Sequence, residues 1–333
     1  MDILNTTGFN NSTPNVMNQT NNGTSLSQGF SIAMTILFTA IIVTSIIANA
    51  LLILTIVVSR HLYSITHVFI VNLAIGDVIT ALFVIPFDVS FMIYGYHTFG
   101  IVPCGFMHIG FLMSLPLAVL NLCLLTVERF LTISYPFKRH TYFTAPKIAV
   151  MLISTWLYTL LISLAPVMHN SDILRVANGF CELNVSIGFT IFHGVLNFLI
   201  PIIGILVLNF FIVRIANRHE RRIHCTIKDR KKHQKKLLSF RKGAKRIMLL
   251  VGVCVFTWVT FIILVIWNTL CNLCHPRELT WIGNAINYSS VSVNPILYGI
   301  INTSIRREMW KRFRKLLSIK YHAENSTESF MLK

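Results

Sequence analysis

Seven long apolar stretches, separated by polar or charged segments, organise this chain. They fall at about 31–58, 66–94, 102–134, 146–168, 187–214, 244–270 and 279–301. Each meets or exceeds the ~20 residues that a helix needs to cross ~30 Å of hydrocarbon. A backbone in lipid must satisfy its own N–H and C=O groups, which selects helices for such segments. A shorter pattern follows. Ile305, Met309, Trp310 and Phe313 fall on one helical face, with basic residues opposite. A helix of that kind lies along a membrane surface. The expected fold is an all-α membrane protein, a seven-transmembrane helix bundle with a short amphipathic eighth helix. Its divisions are a tail over 1–28, the bundle over 29–301, the surface helix over 302–318 and a final tail over 319–333.

Composition agrees with that pattern. Of 333 residues, 54% are hydrophobic and 12% charged, about half the charged share of a soluble protein. So few charges cannot cover a soluble core, whereas lipid can face the apolar surface. The net charge of +17 would suit nucleic acid, but its distribution does not. No Lys or Arg precedes Arg60, fourteen fall between Arg214 and Arg246, and eight more between Arg306 and Lys333. Nucleic-acid binders gather such residues on a folded face. Here they occupy segments between and after the apolar runs, as the positive-inside rule requires.

The same rule sets the topology. With the N-terminus outside, seven crossings leave the C-terminus inside, and only Arg175 and Arg277 of the 29 Lys and Arg residues lie outside. Residues 1–28 carry neither a basic n-region nor an apolar h-region, so no cleaved signal peptide is expected. Glycosylation acceptor patterns begin there at Asn5, Asn10, Asn11, Asn18 and Asn22, and another begins at Asn184. They mark extracellular segments. The expected localisation is the plasma membrane.

Polar residues inside spans are costly and usually carry function. They recur here about once per span: Asn49, Asp77, Glu128-Arg129, Trp156, Pro201, Trp258 and Asn294-Pro295-Ile296-Leu297-Tyr298. Together with Leu73-Ala74-Ile75-Gly76-Asp77 and Pro136, this order resembles the rhodopsin-like (class A) G-protein-coupled receptors across roughly residues 31–315. The resemblance assigns no closer subfamily. It implies a cell-surface receptor that is not an enzyme and that passes an extracellular small-molecule signal to heterotrimeric G proteins. Arrestin and membrane lipids are further expected partners, and nucleic acid is not.

The resemblance also assigns roles. Glu128, Arg129, Pro136, Lys242, Lys245 and Tyr298 would form the G-protein-coupling end. Asn49, Asp77, Ser114, Ser290, Asn294 and Trp258 would form the activation network, where the oxygens around Asp77 suit a sodium ion. A hydrogen-bonded, uncharged Asp77 is the competing reading, because Ala118 stands where the family commonly has a serine. Asp88, Phe111, Leu115, His193, Asn197, Phe261, Asn284 and Tyr288 would line the ligand pocket. Cys104 and Cys181 match the family's disulfide. Cys271 and Cys274 form a CxxC, read as a second disulfide in an oxidising exterior rather than a zinc site. Cys123 and Cys254 are expected as free thiols.

Several positions depart from the family pattern. Trp258-Val259-Thr260 replaces Trp-x-Pro, so any bend must come from Thr260 bonding the preceding turn. Asn209 and Phe240 replace a tyrosine and an acid, His97 replaces a tryptophan, and Pro116 sits within the third span. Phe111 stands where amine receptors carry an aspartate, and Tyr288 where opsins carry a lysine. These changes keep open an alternative: a constitutively active or non-signalling orphan with an atypical switch. No catalytic constellation emerges, and a channel or transporter fits the motif set poorly.

Overall fold

The computed structural model describes residues 26–59, 62, 64–97, 99–135, 139–169, 174–177, 180–183, 185–223, 248–267, 276–301, 304–312 and 314. Helix α1 (Gln28–Val58) starts where the Ser27 hydroxyl accepts from the Phe30 N–H. Helix α2 (Ile65–Phe83) starts likewise at Ser64, whose hydroxyl accepts from His67. Such caps satisfy amides that have no partner inside the first turn.

The second apolar stretch is not one helix. It breaks at Val84 into α2 and α3 (Ile85–Tyr94), with Pro86 in the first turn of α3. Proline has no N–H for the preceding turn and its ring crowds the carbonyl four residues back, which explains the break. Gly95 ends α3 at φ 74°, a conformation that residues with a Cβ rarely adopt. Helix α4 (Ile101–Ser134) carries Pro116 without breaking. A short α5 (Arg139–Tyr142) and the long α6 (Ala145–His169) follow.

The fifth span contains a second irregularity. It comprises α7 (Ile187–Gly194), a π-helical turn (Val195–Leu199) and α8 (Ile200–Ile223). Pro201 cannot donate to the Asn197 carbonyl, and the Ile200 N–H reaches back five residues to Val195. The missing proton and the wider turn belong together. This span also runs past residue 214, to Ile223. Helix α9 (Met248–Trp267) and α10 (Arg277–Ile301) complete the bundle. Residues 304–312 form α11.

A short hairpin joins the helices of the expected all-α bundle. Strands β1 (Leu174–Ala177) and β2 (Phe180–Leu183) pair antiparallel, with Val176 opposite Cys181. The Cys104–Cys181 disulfide ties this hairpin to the first turn of α4.

Among the described residues, six spans are long and apolar enough to cross a membrane. Helix α10 is the seventh, and its polar residues point inward: Asn287 and Ser292 are buried. One core joins α1, α2, α4, α8, α9 and α10 through Leu52, Phe69, Leu73, Val119, Ile205, Trp258 and Tyr298. A second lies at the disulfide end around Phe38, Ile85, Phe91, Met107 and Tyr288. Helices α2 and α4 approach so closely that a Cβ on Gly76 would meet Leu117 Cδ2 at 2.8 Å. Ile36, Phe106, Leu161, Phe210 and Phe256 are largely exposed. A belt of this kind is costly in water and at home in lipid.

Helix α11 folds back onto the bundle. Ile305 is fully buried, and Arg312 Nη2 donates to Ser59 Oγ at 3.1 Å. Trp310 stays exposed with Arg314 over its ring at 5.5 Å. This helix pairs a buried apolar anchor with a basic outer face.

Candidate functional site

Functional side chains gather at three levels of the bundle. At the level of Arg129, Glu128 is fully buried on α4. Its Oε2 accepts from Thr66 of α2 at 3.0 Å and its Oε1 from Thr132 at 3.1 Å. Arg129 lies beside it, Nε to Oε2 3.6 Å, with about a third of its side chain exposed. Two hydroxyls therefore hold the carboxylate, and the arginine makes a longer contact. Tyr298 is buried with its hydroxyl unpartnered. Asn209 donates to the Ile205 carbonyl and leaves its own carbonyl oxygen unpartnered.

At mid-bundle, Asn294 Nδ2 donates to Asp77 Oδ2 at 3.1 Å. Asp77, Ser114, Ser290, Asn287 and Trp258 line a cavity of about 20 Å³. One water or small ion fits such a space. The Ser114 and Ser290 hydroxyls donate to the Phe111 and Asn287 carbonyls. Their oxygens keep lone pairs, so carboxylate and hydroxyl oxygens form a hard-cation donor set. Asn49 belongs to a different junction. Its Nδ2 donates to Ser45 and to the Val291 carbonyl of α10.

At the disulfide end, the Tyr288 hydroxyl donates to Asp88 Oδ2 at 2.8 Å, and both residues are buried. Phe111 stands edge-on to Phe261 and Tyr288, at centroid distances of 5.3 and 6.2 Å, and 6.3 Å from Trp258. Leu115 packs in the core below. His193 and Asn197 are buried on the fifth span, and Asn284 is half-buried on α10. Asn197 Oδ1 accepts from the Tyr158 hydroxyl at 2.7 Å.

Several partners were not legible in the sequence. Thr66, Thr132 and Tyr158 have no spacing signal, because their roles depend on which helices meet. Trp156 donates to Asn72 at 2.9 Å, and Asn72 to Asn121 at 2.6 Å, linking α6, α2 and α4. Of that link the sequence reading had singled out Trp156 alone, because its asparagine partners carry no spacing signal. Thr260 does donate to the Phe256 carbonyl at 2.7 Å. Pro136, Lys242, Lys245, Phe240, Cys271, Cys274, Asn5, Asn10, Asn11, Asn18, Asn22 and Asn184 lie outside the described residues.

The comparisons with known proteins fit these observations. The family model described as 7 transmembrane receptor (rhodopsin family) matches residues 48–298. The alpha-1A adrenergic receptor of Mus musculus is 26% identical over 321 residues, covering 86% of this chain and 68% of that protein. The Homo sapiens alpha-1A receptor gives the same identity and shares over 325 residues. The alpha-1D adrenergic receptor of Rattus norvegicus is 26% identical, covering 83% of this chain and 56% of its own. The chain thus belongs to the rhodopsin family of seven-transmembrane receptors, and it is a cell-surface G-protein-coupled receptor.

Proposed function

We propose that this receptor binds a small molecule among Phe111, Phe261, Tyr288, His193 and Asn197 and activates a heterotrimeric G protein at the Arg129 end, catalysing no reaction. The N-terminus is then extracellular and the C-terminus cytoplasmic, the arrangement that the Lys and Arg distribution favours. One observation carries the coupling role: Arg129 stands partly exposed beside a Glu128 already held by two threonine hydroxyls. An arginine restrained by one long contact can swing toward a partner at low cost. Arrestin would use the same end, and anionic lipid would face α11.

Adrenergic receptors are relatives, but Phe111 replaces the acid that amine recognition uses on the third span. Asp88, an acid at this level, is engaged by Tyr288. The Asp77 cavity would hold a sodium ion through Asp77, Ser114 and Ser290.

The weak restraint on Arg129 also favours a second reading, in which the receptor signals without ligand. Both readings are tested by measuring G-protein activation with Arg129→Ala at equal surface expression. Activation should fall at least about tenfold, the cost of one lost charge-assisted contact. Unchanged activation would remove Arg129 from this role. Agonist-free activity in the parent chain would select the second reading.

A further inference from the structure

We propose that reduction of the Cys104–Cys181 bond uncovers a zinc site. Both sulfurs, His108 and His97 then hold Zn²⁺, and the metal takes over the tether between the outer hairpin and α4.

Cys104 and His108 stand four residues apart on α4, so their side chains project from one face, a turn apart. Two zinc ligands at this spacing on a helix converge on one metal. The third ligand comes from the hairpin. A ring nitrogen of His108 and the Cys104 and Cys181 sulfurs all lie within 4.8 Å of one another. Around tetrahedral zinc, bonds of about 2.3 Å to sulfur and about 2.0 Å to nitrogen put ligand atoms roughly 3.4–3.8 Å apart. Side-chain rotation covers the difference, and a Cα–Cα distance of 5.8 Å keeps both cysteines within reach. Both cysteines are buried and His108 is half-buried, so the site is shielded from bulk water.

The two imidazoles are only loosely engaged. His108 Nε2 makes a long contact, 3.4 Å to the Cys181 carbonyl, which sets the ring beside the bond without fixing it. His97 precedes α4, and its ring packs on Phe91 at 5.0 Å. Phe91 belongs to the same buried cluster as Cys104 and Cys181, and His97 lies within electrostatic reach of His108. Its Nδ1 is buried and has no hydrogen-bond partner among the described residues. A buried polar atom of this kind is costly unless something meets it. The receptor family commonly has a tryptophan here, so His97 brings a ligand nitrogen that the family pattern lacks. Two cysteines and two histidines are a donor set that zinc takes in closed structural sites.

A small dithiol supplies the electrons. Its first thiolate attacks one sulfur of the bond and forms a mixed disulfide; its second closes a ring disulfide and releases that sulfur. The receptor gains two electrons and two protons as a pair of thiols, and the dithiol is oxidised. Zn²⁺ then bonds both sulfurs and releases their two protons to solvent, with no further change of oxidation state. Reduction alone cuts the hairpin loose from α4, and the zinc bonds restore the link.

The test uses full-length receptor purified in detergent and carrying Cys271→Ser and Cys274→Ser, which removes the competing CxxC. The protein is reduced with dithiothreitol, exchanged into metal-free buffer holding a phosphine reductant, and titrated with Zn²⁺ against a chelating dye. Co²⁺ reports the ligand set, because thiolate ligands give a sulfur-to-metal charge-transfer band. Reduced receptor should bind one Zn²⁺, show that band with Co²⁺, and recover with zinc the Tm lost on reduction. Oxidised receptor should show no such band. His108→Leu, and His97→Trp, which restores the family residue, should each weaken zinc binding at least about tenfold, a loss seen even for outer-shell partners of metal sites. Should His108→Leu not purify as a monodisperse receptor, His108→Gln takes its place. Absence of the cobalt–thiolate band, a Tm of the reduced receptor that zinc leaves unchanged, or full zinc affinity in either histidine variant would each overturn the proposal.

Discussion

Asn49 Nδ2 donates to the Val291 carbonyl at 3.0 Å, the carbonyl that Pro295 leaves without its helical partner. In a regular helix the amide of residue 295 would fill it. Ser45 reaches the same oxygen at 3.3 Å, so α1 supplies what α10 lacks. Here Pro295 frees a backbone acceptor, and side chains of a neighbouring helix take it.

The first prediction follows from that exchange. Asn49→Ala should destabilise the receptor by about 1–3 kcal/mol, the cost of leaving a buried acceptor without its donor. In a Pro295→Ala background, where the helical amide is restored, the same change should cost clearly less. Thermal unfolding of the four proteins in one detergent forms a double-mutant cycle. A coupling energy of zero would show that the two residues do not share Val291.

A second prediction concerns the restraint on Arg129. Glu128→Gln removes the charge beside Arg129 and should raise agonist-free G-protein activation several-fold. Thr66→Val removes one of the two hydroxyls that fix the carboxylate. It should raise activation by a smaller factor in the same direction. Membrane-based nucleotide exchange at equal receptor density reads both. An inert Thr66→Val beside an active Glu128→Gln would leave Thr66 with no part in the switch.

Sodium provides the third. If the ion binds at Asp77, replacing choline chloride by sodium chloride should raise Tm. At tenfold over Kd the gain is about 1.4 kcal/mol, a shift of a few degrees for a chain this size. Asp77→Asn should abolish the sodium-specific part of the shift. An equal response to sodium in that variant would exclude the site.

The fourth is covalent. The Cys104–Cys181 bridge closes a separation of 77 residues, worth about 4–5 kcal/mol of unfolded-chain entropy. Cys104→Ser should cause intracellular retention, scored by surface labelling. Cys271→Ser should be milder, because a two-residue loop removes little entropy. Equal surface levels of Cys104→Ser and the parent chain would contradict this ordering.

The sequence by itself determined the membrane class, the apolar spans and the positions of the family motifs. Each of these depends on local quantities. Twenty apolar residues demand a helix in lipid wherever they occur, and Asn294-Pro295-x-x-Tyr298 is recognisable without knowing its neighbours. Even Thr260 bonding its own preceding turn was legible, because that contact is local. The breaks were harder. Pro86 splits its span whereas Pro116 does not, and periodicity gives both the same penalty. Pairings across the bundle were decided by tertiary structure alone: Thr66 with Glu128, Tyr158 with Asn197, Tyr288 with Asp88. These residues lie 39 to 200 positions apart, and no spacing rule operates at that range. A side chain in lipid gains most from the polar group nearest in space, and helix packing alone determines which group that is.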